Sequence, residues 1–108
     1  MWLQVKITDD MLDWQAGCAW AWIVKIRPKY RDDAGLLAHE LVHVRQWWRL
    51  LILHPILYAW SKRYRLRCEV EAYREQLTYC SANRDLFGYS IASRYGLEIT
   101  AEEAAKLL

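Results

Sequence analysis

Residues 33–50 read Asp-Ala-Gly-Leu-Leu-Ala-His-Glu-Leu-Val-His-Val-Arg-Gln-Trp-Trp-Arg-Leu. Leu36, Leu37, Leu41, Val44 and Trp48 recur at spacings of three and four, the period of a helix with one apolar face, and Asp32 or Asp33 can cap its start. Upstream, Leu3, Val5 and Ile7 alternate with Gln4, Lys6 and Thr8, which predicts a half-buried strand closed by Asp9-Asp10. Residues 19–27, rich in aromatic and β-branched types, predict a second strand that stops at Pro28. Downstream, Pro55 breaks or bends the chain. A helix follows from about Ser61 to Tyr79, with Leu66, Val70, Tyr73 and Leu77 on one stripe. Another starts at Ser81 or Asn83 and ends near Gly96, and Thr100 with Glu103 forms a capping box for a short last helix. The predicted fold is α+β: a short antiparallel or mixed N-terminal sheet packed on the 33–50 helix and on a second, Glu-bearing helix, with helices at the C-terminal end. Without a linker or repeat, residues 1–108 read as one domain.

The composition narrows the class. Hydrophobic residues make up 55% of the chain, including seven tryptophans, which excludes intrinsic disorder. A net charge of +2 makes a nucleic-acid partner unlikely. Cysteines 18, 68 and 80 are odd in number and have no C-x-x-C spacing, so neither a disulfide framework nor a zinc ribbon is expected. Together with the absence of a signal-peptide pattern, this predicts a cytoplasmic protein. The most apolar window, Trp47–Trp60, is interrupted by Arg49, His54 and Pro55 and is too short to span a bilayer. It reads as a core loop folded over the 33–50 helix. The alternative, reaching through the basic run to residue 67, is a surface for a protein partner or a membrane interface.

The chemistry is concentrated at His39-Glu40-Leu41-Val42-His43. Residues four apart on a helix lie about 40° apart around its axis and one turn along it, so both imidazoles can reach one ion. Zinc suits such ligands. Glu40 is turned about 100° from His39 and is the residue that, in metallopeptidases with this motif, takes a proton from the zinc-bound water. A third protein ligand is needed. Gln46 and Arg49 stand where one branch of these enzymes carries Gly and His, which excludes that branch. His54 precedes a proline outside the helix and reads as an ordinary imidazole. Glu69, Glu71 and Glu75 on the next helix are the better candidates.

HELVH, followed by a helix with Glu69-x-x-Ala72, resembles the gluzincin metallopeptidases, in particular their minimal forms and the short HELxHxxQ proteins of bacteria and phages. The resemblance covers about residues 20–78. It implies His39, His43 and Glu69 as ligands of one Zn2+, with Glu71 as the alternative to Glu69, and Glu40 as general base. Where those families often place Asp or Asn to support a zinc-bound histidine, this chain has Tyr73, whose phenol can accept an imidazole N–H. Gln46 is a further candidate for contact with the ligands. The resemblance also implies an edge strand that pairs with substrate backbone, here Ala19, Trp20, Ala21, Trp22, Ile23 and Val24. Tyr58, Tyr64, Tyr73 and Arg45 are candidates for stabilising an oxyanion. Trp20, Trp22, Trp47 and Trp48 are expected to wall the site.

Two functions follow as expectations. The first is a zinc-dependent metallopeptidase acting on a peptide or protein substrate. The second is a zinc-stabilised binding or accessory protein of phage origin with weak or no proteolysis, a reading favoured by the small room that 108 residues leave for a cleft.

Overall fold

In the computed structural model, which describes residues 3–80 and 84–108, the chain begins with a three-stranded mixed sheet. β1 (Gln4–Ile7) runs parallel to β3 (Ile23–Ile26), and β2 (Gly17–Trp20) runs antiparallel to it, giving the order β1-β3-β2. The single strand predicted over 19–27 is instead two strands joined by a tight hairpin turn. Ala21 adopts φ 53 there. Such turns normally advertise themselves with Asn or Gly, and alanine gives no such signal. The hairpin puts β3 at the centre of the sheet, paired on both sides, and leaves β2 at an edge.

Among the described residues, five α-helices follow a short 3-10 turn at Pro28–Tyr30: α1 (Ala34–Leu50), α2 (Leu53–Trp60), α3 (Lys62–Leu77), α4 (Arg84–Arg94) and α5 (Ala101–Leu107). Their starts obey local capping chemistry. The Asp33 carboxylate accepts the Leu36 N–H at 2.9 Å and the Ser61 hydroxyl accepts the Tyr64 N–H at 3.1 Å, each satisfying an otherwise unpaired donor of the first turn. Thr100 and Glu103 form the reciprocal box predicted for α5. Gly96, at φ 63, follows the end of α4. The predicted start of that helix, Ser81 or Asn83, lies outside the described residues.

Helix α2 was expected as a loop. Leu51, at φ 54, ends α1 and turns the chain. Pro55 then falls in the first turn of α2, where its missing N–H removes no helical hydrogen bond, so it opens a helix rather than breaking one.

α1 packs against β2 and β3 on one side and α3 on the other. Val24, Ile26, Leu36 and Val44 form the core under the sheet, and Tyr73, Phe87, Ile91, Leu97 and Ala104 form a second core among α3, α4 and α5. Because α1 has two partners, Val42 and Gln46 are buried along with Leu36 and Val44, whereas Trp48, predicted on the core stripe, is exposed. The β1 prediction also needs correction. Val5 and Ile7 pair with the buried Val24 and Ile26, yet Leu3, Val5 and Ile7 are exposed because β1 extends past the helix that covers β2 and β3.

Two glycines set close approaches. A Cβ on Gly17 would lie 3.0 Å from the Lys25 carbonyl and 3.5 Å from Glu40 Cγ, so glycine lets β2 lie directly over α1. A Cβ on Gly88 would lie 2.8 Å from the Ala101 carbonyl, which explains how α4 seats so closely on α5.

Candidate metal centre

His39, Glu40 and His43 project from the middle of α1, and Glu69 projects from α3. The contacts run in antiparallel order, from Gly35 beside Gln76 to Arg49 beside Glu71. This arrangement brings Glu69 over the two imidazoles. His39 Nε2 and His43 Nε2 are 3.2 Å apart. Glu69 places Oε2 3.3 Å from His43 Nε2 and Oε1 3.6 Å from His39 Nε2. Ligand atoms at 2.0–2.1 Å from one tetrahedral ion would be separated by about 3.3 Å, so the three side chains already stand at the spacing of ligands sharing a cation. A buried His-His-Glu group of this kind can hold a metal ion.

A second observation points the same way. Among the described residues, the only buried side-chain polar atoms without a hydrogen-bond partner are His39 Nδ1 and Glu69 Oε1. Leaving a buried polar atom unpaired costs about 1–3 kcal/mol, and more for a charged group. A cation between the histidines and Glu69 would give Oε1 a partner.

Neighbouring side chains orient this group. The Gln46 amide nitrogen donates to the Cys68 carbonyl at 3.0 Å and to Glu71 Oε1 at 2.9 Å, so its oxygen must face His43, 2.8 Å from Nδ1. His43 therefore donates from Nδ1 and directs Nε2 at Glu69. The Tyr58 hydroxyl donates to Glu69 Oε2 at 2.5 Å, fixing the other end of the carboxylate. Glu71, the alternative third ligand, is turned away: it binds Gln46 and Arg49. Tyr73 is also placed differently from the expectation. Its ring stands edge-on to His39 at 4.4 Å, while its hydroxyl pairs with that of Tyr95 at 3.0 Å, so it accepts no imidazole N–H.

Burial and charge shift the ionisation of the cluster. Burial alone would lower the pKa of His43, but the Glu69 carboxylate outweighs it and pushes the imidazole up to about 9. For Glu69, burial is likewise opposed by His43 and His39, which hold the carboxyl well below its usual range. Burial raises Glu40, only partly offset by the two imidazoles. Burial and the adjacent Glu69 raise the Tyr58 phenol, so it remains a donor at any ordinary pH.

The group opens into a cleft of about 670 Å3, within the usual range for ligand sites. Glu40, His54 and Tyr58 line it, with the edge strand β2 along one wall. Trp20 and Trp47 meet edge-on at 4.7 Å in that wall. Trp22 and Trp48, also expected there, pack on each other outside the cleft. The predicted substrate strand requires a similar correction. Ala19 and Trp20 lie on the edge strand, but Ala21 and Trp22 form the turn, and Ile23 and Val24 belong to the fully paired central strand. Gly17 and Cys18 complete the edge instead. Of the oxyanion candidates, Tyr64 accepts or donates at His54 Nδ1 at 2.8 Å, Arg45 points to solvent, and Tyr58 alone reaches the cleft. No family model, curated protein or solved structure matches the chain.

The burial of Gln46 and the contact between Tyr58 and Glu69 were not foreseeable in detail. The position of Gln46 one turn after His43 was a usable signal. The role of Tyr58 depends on α2, whose helical start at a segment containing Pro55 carries no local signal.

Proposed function

We propose that this protein is a zinc-dependent metallopeptidase in which His39, His43 and Glu69 hold the metal and Glu40 is the general base. The observation that carries the reading is the convergence of three ligand atoms at cation-sharing distances, beside Glu40, at the floor of an open cleft. Two neutral imidazoles and one carboxylate form a donor set suited to zinc. The HELVH sequence and its resemblance to gluzincins agree with that choice. Zinc bound there supplies Lewis acidity, bringing the ionisation of water towards neutral pH and polarising a carbonyl oxygen.

The remaining steps belong to the chain's own residues. Glu40 holds the proton given up by the attacking water and delivers it to the leaving amine. The free edge of β2, residues 17–20, offers backbone N–H and C=O groups to an extended peptide, and Trp20 and Trp47 present an apolar wall to its side chains. A cleft of about 670 Å3 leaves room for part of a peptide, which supports this reading.

The test is bound zinc together with cleavage of casein or a peptide, measured for the parent, Glu40→Gln and Glu69→Gln. The proposal expects stoichiometric zinc in the parent and in Glu40→Gln, cleavage only in the parent, and loss of zinc in Glu69→Gln. A parent without stoichiometric metal overturns the assignment. Metal in the parent without cleavage of any peptide would place the protein in the binding or accessory class.

A further inference from the structure

The outer face of α2 is apolar and uncovered. Ile52, Leu53, Ile56 and Trp60 follow one another at helical spacing and are all exposed, Ile52 by 76% and Trp60 by 86%. Leu51 extends the same exposed surface. A soluble domain rarely leaves so many large apolar side chains together in water unless they meet something. The inner face of the same helix is fully engaged: His54 is buried against Tyr64, and Tyr58 reaches Glu69.

Charge indicates the occupant. From Leu41 to Cys68 the chain carries six Arg and Lys residues and no Asp or Glu, which leaves the rest of the molecule at a net charge of −4. Within that stretch, Arg49 holds Glu71, Lys62 holds Glu98, and Arg65 is fixed by backbone carbonyls. Arg45, Arg63 and Arg67 remain exposed. An apolar helix face ending in a tryptophan, within a stretch of chain that carries Lys and Arg but no Asp or Glu, on a molecule otherwise acidic, has the chemistry of an element that lies in the headgroup region of an anionic bilayer.

We propose that α2 docks the protein on anionic phospholipid membranes, with Ile52, Leu53, Ile56 and Trp60 entering the interface and Arg63 and Arg67 meeting lipid phosphates. The acidic remainder of the surface orients the molecule with α2 towards the bilayer. Since His54, Pro55 and Tyr58 on the inner face line the cleft, the bound membrane lies about one helix diameter, roughly 10–12 Å, from it.

Flotation of the full chain with phosphatidylcholine vesicles, with and without phosphatidylglycerol, tests this. The expected result is binding to the anionic vesicles, weaker binding to the neutral ones, and release as salt is raised. Each cation near an anionic leaflet is worth roughly fivefold in partitioning, so Arg63→Gln with Arg67→Gln should weaken binding about thirtyfold. Ile56→Ser with Trp60→Ser should abolish it. All four positions are exposed, and unchanged circular dichroism confirms that the variants fold. Absence of binding to anionic vesicles overturns the proposal, as does equal binding to neutral ones. Concentration-dependent self-association lost in Ile56→Ser with Trp60→Ser, with no vesicle binding, would assign the face to a second copy and overturn it equally.

Discussion

Tyr58→Phe isolates one atom of the candidate metal centre. The substitution keeps the ring, and with it the contacts to His54 and the Arg65 guanidinium, and removes only the hydroxyl that donates to Glu69 Oε2 at 2.5 Å. Glu69 is almost wholly buried, and its other oxygen has no hydrogen-bond donor. The lost bond is charge-assisted, so the metal-free protein should lose about 1.5–3 kcal/mol of unfolding free energy. Removing a partner that orients a metal ligand typically weakens binding about 10- to 100-fold, which corresponds to about 1.4–2.7 kcal/mol. Competitive titration against a chromophoric chelator measures the zinc affinity, and urea unfolding after chelation measures the stability. A zinc affinity within about twofold of the parent would refute the claim that Tyr58 sets the position of Glu69. A stability loss without an affinity loss would reduce the hydroxyl to a packing role.

Three further outcomes are expected. Gln46→Ala removes the acceptor for His43 Nδ1 and the donor to the Cys68 carbonyl, so the urea midpoint should fall by the equivalent of about 1–3 kcal/mol. Gly88→Ala drives a methyl group into the Ala101 carbonyl and Ala105, and should lower thermal stability by about 1–3 kcal/mol; an unchanged melting temperature would contradict the tight α4–α5 seat. The pKa of His43, about 9 when folded against about 6.5 when unfolded, makes the contribution of His43 to its ion pair with Glu69 fully present just below about pH 6.5, where the Glu69 carboxylate is ionised. That contribution disappears as pH rises towards 9, so the metal-free protein should lose stability across this window. Zinc needs the neutral imidazole, so its binding at neutral pH should release a proton, detectable by calorimetry in buffers of different ionisation enthalpy.

The half of the candidate metal centre carried by α1 was legible because its residues are local. His39, Glu40 and His43 lie within two turns of one helix, and helical periodicity alone sets them on adjoining faces. Glu69 was nameable as a candidate, but its choice over Glu71 depends on the rotation of α3, which packing against α1 decides. The same holds for burial on α1: one apolar stripe was readable, while the second buried face arises only because α3 covers it. The hairpin was hidden because an alanine takes a backbone conformation usually signalled by glycine or asparagine. Helix α2 was hidden because a proline was read as a stop, although the first turn of a helix accepts one.

The contacts of Gln46 with Cys68 and Glu71 close the chain on itself at one point, so residues 47–67 leave and return at a fixed base. Of the inner residues on that excursion, Tyr58 is bound to Glu69 and His54 to Tyr64 within it, whereas Ile52, Leu53, Ile56 and Trp60 face outward. The outward face of residues 47–67 can therefore change its chemistry without moving the side chains of the candidate metal centre.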